Sequence, residues 1–233
     1  MEVFLKGNYK SFIKIIISKS AQKTTNILVN IHGLYGLSGD PGSKSKHLAR
    51  IITRSGLANV VLFNSSRDWQ VAKNSDFEEQ KKAFGEKTFD QELQDTKDMM
   101  NLIIDQSAYL FGIEQKELKI FLIGNSLGGT LSTCLNEYFK YIQKIVLAGA
   151  GTRTALPSKL MEEEILDKAS EFKGEAMLLQ GSNDTVVPLK AGDLLISAYK
   201  NARVSKVIIK GANHNFSNAK KKYVDTIVKF LSN

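Results

Sequence analysis

The chain has 233 residues, 42% of them hydrophobic, with 17 glycines, 3 prolines and a formal net charge of +8 at pH 7. That length and composition fit one α/β domain over residues 1–233 with a sizeable core, and no apolar stretch approaches the ~20 residues of a membrane-spanning helix. The 32 Lys and Arg residues are scattered, without an aromatic-interleaved stripe, so a solvated lysine-rich surface is expected and not a nucleic-acid site. Three histidines and one cysteine give no metal site and no internal disulfide; Cys134 reads as core.

Lysines at 6, 10, 14 and 19 interrupt the apolar residues of the first twenty positions, so no signal peptide is expected and the location is read as cytoplasmic. Val3 to Lys6 and Phe12 to Ser18 read as an antiparallel hairpin around Gly7-Asn8. A buried strand, Asn26 to Ile31, ends in His32-Gly33 and is followed by a loop rich in Gly, Ser and Asp. A helix over about Ser45 to Ser55 and a strand over Asn59 to Asn64 come next. Residues 65–88 are polar and mixed and show no period. Helix is expected over about Phe89 to Tyr109, strand over Leu118 to Ile123, and an amphipathic helical run over Thr130 to Tyr141. Strands at Lys144–Ala148, Ala176–Gln180 and Val204–Ile209 alternate with helices at Ser158–Glu171, Leu189–Tyr199 and Asn218–Leu231. This alternation predicts a mostly parallel sheet with an antiparallel start and helices on both faces. A small lid segment is expected at 152–172.

The chemistry centres on Gly124-Asn125-Ser126-Leu127-Gly128-Gly129, between an apolar strand and a helix. The glycines let a sharp turn pack closely, so the serine hydroxyl stands above the sheet edge with helix N–H groups beside it. A serine needs a base to take its proton, and the base needs an orienting acid. His214, in Gly211-Ala212-Asn213-His214-Asn215-Phe216 after the last strand, suits the base. Asp184, in Asn183-Asp184-Thr185-Val186-Val187-Pro188, suits the acid. His32 reads as a structural residue shaping its loop, and His47 as a surface residue. Gly149 to Thr154 lacks the third glycine of a dinucleotide fingerprint, and Gly124 to Thr130 lacks the lysine of a P-loop.

Taken together, His32-Gly33, the Ser126 turn, the Asp184 segment and the His214 loop make the chain resemble an α/β-hydrolase. It is most similar to small bacterial esterases of the feruloyl and cinnamoyl type, and more distantly to acyl-protein thioesterases. The resemblance runs from about residue 2 to the end and implies an eight-stranded α/β-hydrolase sheet with no cofactor. It implies Ser126 as nucleophile, His214 as base and Asp184 as its partner, with the backbone N–H groups of Leu34 and Leu127 as the oxyanion hole. Each such donor is worth on the order of 3 kcal/mol in the transition state.

The chain departs from those esterases after Phe63, where Asn64-Ser65-Ser66-Arg67-Asp68-Trp69 replaces an Arg-Gly-His-Gly-like turn. Loop position nominates Tyr35, Trp69, Leu156, Val186 and Phe216 as substrate neighbours. The expected activity is cleavage of a small-molecule carboxylic ester or thioester through an acyl-enzyme. A non-catalytic binding protein on this fold, and an acyltransferase using the same three residues, are the alternatives. Oligomeric state stays open.

Overall fold

A computed structural model describes residues 1–34, 36, 43–67, 82, 85–154 and 156–233. Eight strands form one sheet: β1 (Glu2–Leu5), β2 (Ile13–Ser18), β3 (Asn26–Ile31), β4 (Asn59–Asn64), β5 (Lys119–Asn125), β6 (Ile142–Ala148), β7 (Glu175–Gly181) and β8 (Arg203–Ile209). Their order is β1-β2-β4-β3-β5-β6-β7-β8. The β1–β2 and β2–β4 pairs are antiparallel and every other pair is parallel. After β3 the chain adds β4 on one side and β5 on the other. That reversal opens a crevice beyond the carboxyl ends of β3 and β5, where ligands sit in such sheets.

Period-two alternation divides the strand side chains between two apolar layers. Ile27, Val29, Ile120, Leu122, Ile145, Leu147 and Leu178 point to one face; Leu28, Phe121, Ile123, Val146, Met177 and Leu179 point to the other. The second face is covered by α1 (Lys44–Arg54) and α7 (Lys220–Ser232), through Leu48, Ile52, Tyr223, Val224, Ile227 and Leu231. The first face is covered by α2 (Phe89–Asp105), α3 (Ser107–Phe111), α4 (Leu127–Thr133), α5 (Glu162–Ser170) and α6 (Leu189–Ser197). Among the described residues no helix is long and apolar enough to cross a membrane.

Three helices differ from their sequence reading, each for a local reason. The run from Phe89 to Tyr109 is broken at Gln106, whose φ of −106° and ψ of 17° leave the helical region between α2 and α3. The run from Thr130 to Tyr141 is helical only to Thr133. There Ser132 and Thr133 hydroxyls donate to the carbonyls of Gly128 and Gly129, at 2.7 and 3.0 Å, a back-bonding that weakens a helix. The acidic segment from Ser158 starts its helix only at Glu162, because the Ser158 hydroxyl accepts the Leu160 N–H at 3.0 Å and holds a turn.

A buried ionic cluster ties the N-terminal hairpin to α2. Lys87, Glu92 and Asp95 are fully buried, and the Lys87 ammonium lies 2.5 Å from a carboxylate oxygen of each acid. Asp95 also accepts the Ser66 N–H at 2.7 Å, the Ser66 hydroxyl at 2.5 Å and the Asn8 N–H at 2.9 Å. Burial opposes ionisation of Asp95. The Lys87 charge and the hydrogen bonds of Lys87, Ser66 and Asn8 outweigh it and hold the carboxyl below the usual range.

Because the folded pKa is depressed, the stability Asp95 contributes is complete above the ordinary carboxylate range, near pH 4, and is lost as pH falls through the folded value. Asp95→Asn removes one partner of a buried pair and is expected to cost about 3 kcal/mol or more at pH 7. Urea titrations at pH 7 and near pH 2 check this: the gap from wild type should narrow in acid, and a gap independent of pH would contradict it.

Candidate active site

Ser126 stands at the apex of the turn between β5 and α4 with φ 52° and ψ −118°, a conformation that only a closely constrained non-glycine residue adopts. The constraint is visible around it. A Cβ at Gly124 would stand 2.3 Å from the Gly128 carbonyl oxygen. One at Gly128 would stand 2.5 Å from that of Ile31 and 2.7 Å from that of His32. The turn is thus pressed onto the end of β3, and the Ser126 N–H is tied to the Ala148 carbonyl at the end of β6, at 2.8 Å. Beneath it, Asn125 donates to Asn30 at 2.9 Å and accepts from the Tyr223 hydroxyl at 2.8 Å.

Three loops bring the polar side chains together. The turn after β7 and the loop after β8 are bonded to each other, with the Asn183 N–H on the Ala212 carbonyl at 3.0 Å and the Gly211 N–H on the Ser182 hydroxyl at 2.8 Å. Asp184 Oδ1 accepts the N–H groups of Val186 and Val187, both at 2.9 Å. This leaves Oδ2 to face His214 Nδ1 at 2.9 Å, while His214 Nε2 lies 3.0 Å from Ser126 Oγ. The Asp184 side chain has no exposure and His214 keeps 20%, so the acid is shielded and the imidazole reaches solvent. The carboxylate assigns the proton to Nδ1, and Nε2 then accepts the serine O–H.

The backbone beside the serine comes from the loop after β3. A Cβ at Gly33 would lie 3.2 Å from the Asn125 carbonyl oxygen and 3.3 Å from Ser126 Cβ, so this strand end packs tightly against the serine turn. Among the described residues, the N–H groups of Leu34 and Leu127 make no hydrogen bond. His32 is buried and its ring stacks on Phe63 with centroids 5.4 Å apart. Burial, and then the charge of Arg67, push its pKa well below the ordinary value, so the ring is neutral. His32 Nδ1 donates to the Gly33 carbonyl at 2.8 Å, and Nε2 accepts the Ser65 N–H at 3.3 Å.

The residues nominated as substrate neighbours fall in different places. Val186 is 64% exposed on the Asp184 turn. Leu156 is buried in the same apolar layer as Leu127. Phe216 is a correction: it has no exposed surface and packs against Tyr223, with ring centroids 5.0 Å apart, because its φ of 57° turns the ring inward under α7. Tyr35 and Trp69 lie outside the described residues, as does most of the 65–88 segment. Within the 152–172 segment, Ile165 and Ala169 of α5 are anchored in the core, and Thr152 is hydrogen-bonded to Glu162.

Two surface hollows, of about 360 Å³ between Lys210 and Lys222 and about 280 Å³ around Thr152 to Thr154 and Glu162, contain no residue of the Ser126 constellation in their lining. Among the described residues no group of three or more His, Cys, Asp or Glu side chains is arranged to hold a metal ion. In the sequence Arg67 stands out only as part of the departure after Phe63, and Lys87, Glu92 and Asp95 have no role, because charged residues read as surface. One signal was available: Glu92 and Thr96 continue the apolar stripe of Phe89, Met99 and Ile103 at helical spacing.

No family model matches the chain, and no curated protein matches it. Solved structures do. Est1E from Butyrivibrio proteoclasticus superposes with a TM-score of 0.71 at 12% identity, covering 99% of this chain and 97% of that one; a second Est1E structure holds ferulic acid. Dienelactone hydrolase from Anabaena variabilis gives 0.66 at 16% identity over 98% and 95% of the two chains. An alpha-beta serine hydrolase homologue from Coxiella burnetii gives 0.66 at 16% identity over 99% and 97%. The chain has the α/β-hydrolase fold, shared with one neighbour named a hydrolase and another named a serine hydrolase homologue.

The glycine contacts at the serine turn are steric and unforgiving, since the opposing atoms are backbone. Gly128→Ala is expected to destabilise the protein by about 2 kcal/mol or more. Chemical denaturation measures it; a variant as stable as the wild type would show that the turn does not depend on that approach.

Proposed function

We propose that this α/β-hydrolase-fold protein is a serine hydrolase that cleaves a carboxylic ester or thioester through an acyl-enzyme. The observation that carries the reading is the continuous hydrogen-bonded line from Asp184 through His214 to Ser126, at the carboxyl ends of the strands, with the serine held at a strained φ.

In this reading Ser126 Oγ attacks the substrate carbonyl carbon while His214 Nε2 takes its proton. Asp184 keeps the ring oriented and stabilises the imidazolium that forms; its Oδ1 is already fixed by two backbone N–H groups, so little rearrangement is needed. The tetrahedral oxyanion sits between the N–H groups of Leu34 and Leu127. Breakdown expels an alcohol or thiol that receives the proton from His214. Water then attacks the acyl-enzyme by the same path and regenerates Ser126. Ferulic acid on Est1E supports including hydroxycinnamoyl esters in a first substrate panel beside short aliphatic esters and thioesters.

Ser126→Ala is expected to lower kcat on short p-nitrophenyl esters by about 10³-fold or more, and Asp184→Asn by about 10³- to 10⁴-fold. A fluorophosphonate probe should label the wild type and not Ser126→Ala. Wild-type turnover by Ser126→Ala would sink the assignment.

A further inference from the structure

We infer that Arg67 is a positioning residue for the oxyanion hole, holding the loop after β3 so that the Leu34 N–H is aimed before substrate arrives. The inference rests on the serine-hydrolase reading above and deepens it.

The donor in question belongs to the Gly33–Leu34 peptide. A trans peptide is planar, so fixing the Gly33 carbonyl on one side fixes the Leu34 N–H on the opposite side. The Gly33 carbonyl is held twice, by His32 Nδ1 at 2.8 Å and by the Gly36 N–H at 2.9 Å. Each holder is in turn gripped by Arg67. Its Nη2 lies 3.0 Å from both ring nitrogens of His32, packed against the ring without a hydrogen bond to either, and donates to the Gly36 carbonyl at 2.6 Å. Its Nη1 donates to the Leu34 carbonyl at 2.8 Å, on the next peptide along. One planar guanidinium therefore spans both carbonyls flanking position 35 and the ring that orients Gly33, which a single ammonium could not do.

Arg67 is itself fixed. It is 1% exposed. The turn that carries it is bound through the neighbouring Ser66, whose N–H and hydroxyl both bond Asp95, and Asp95 is paired with Lys87. Arg67, Lys87, Glu92 and Asp95 bring two positive and two negative charges into the interior beside the loop. The guanidinium lies at the carbonyl ends of the loop peptides. Its charge stabilises a loop in which carbonyls point inward to Arg67, and the Leu34 N–H is left for the oxyanion. Such preorganisation acts on the transition state, and misplacing a donor by about 1 Å costs on the order of 10²-fold in rate.

The test compares wild type with Arg67→Met and Arg67→Lys, using p-nitrophenyl ester kinetics, phenylboronic acid inhibition and thermal melting. A boronate takes a tetrahedral anionic form on the serine and so reports the oxyanion hole, while KM also carries ground-state binding. Both variants are expected to lose about 10- to 100-fold in kcat with KM within about twofold, and to lose boronate affinity in proportion. Arg67→Lys keeps the buried charge and is expected to melt closer to wild type than Arg67→Met without recovering kcat. If Arg67→Met fails to fold, Arg67→Lys carries the test alone. A folded Arg67→Lys with wild-type kcat and boronate affinity overturns the inference, as does a loss expressed only in KM. Absence of esterase turnover and of fluorophosphonate labelling in the wild type would instead overturn the hydrolase reading.

Discussion

The close approach of two backbones governs this molecule. The serine turn after β5 lies against the end of β3 so tightly that no side chain fits at Gly128, and Gly33 leaves room for Ser126 on the other side. Everything polar in the candidate site is arranged about that contact. The sheet order makes it available, since β3 and β5 are neighbours at the point where the strand order reverses. The strain at Ser126 is sustained by the bonds and steric contacts around it, not by the serine itself.

The two sides of the site are supported by different physics. On the Asp184 and His214 side, neutral hydrogen bonds between two loops do the holding: Asn183 to Ala212 and Gly211 to Ser182. Loops braced in this way present a partly exposed imidazole, with one shielded carboxylate, Asp184, whose Oδ1 is held by two backbone N–H groups. On the Leu34 side, the brace is ionic and dry, with Arg67, Lys87, Glu92 and Asp95 all buried. Buried ion pairs add little net stability compared with apolar packing, but they are directional and costly to break singly. That asymmetry suits a place where one peptide must keep one orientation. It also draws the N-terminal hairpin into the site, because Asn8 shares Asp95 with Ser66 and Lys87.

Much of the fold was legible along the chain. Runs such as Asn26 to Ile31 and Asn59 to Asn64 match their strands end to end, because β-branched residues with sharp polar borders specify local backbone shape. Helix ends were less legible. The stop at Thr133 depends on hydroxyls bonding back to carbonyls, and the late start at Glu162 on a turn held by Ser158. Phe216 shows another limit: its loop position put it near the site, but a positive φ and the ring of Tyr223 take it into the core.

The sequence by itself determined the alternation of strands and helices, the glycine pattern that permits a sharp serine turn, and the presence of an acid and a histidine on later strand ends. These are local properties of composition and spacing. Only the tertiary structure decided that Asp184, His214 and Ser126 meet within hydrogen-bonding distance across separations of 30 and 88 positions. It alone decided that Arg67, Lys87, Glu92 and Asp95 are interior residues. Apart from the place of Glu92 in the apolar stripe of its helix, nothing local marks these side chains as buried; their partners, such as Asn8 for Asp95 at a separation of 87, come from distant parts of the chain.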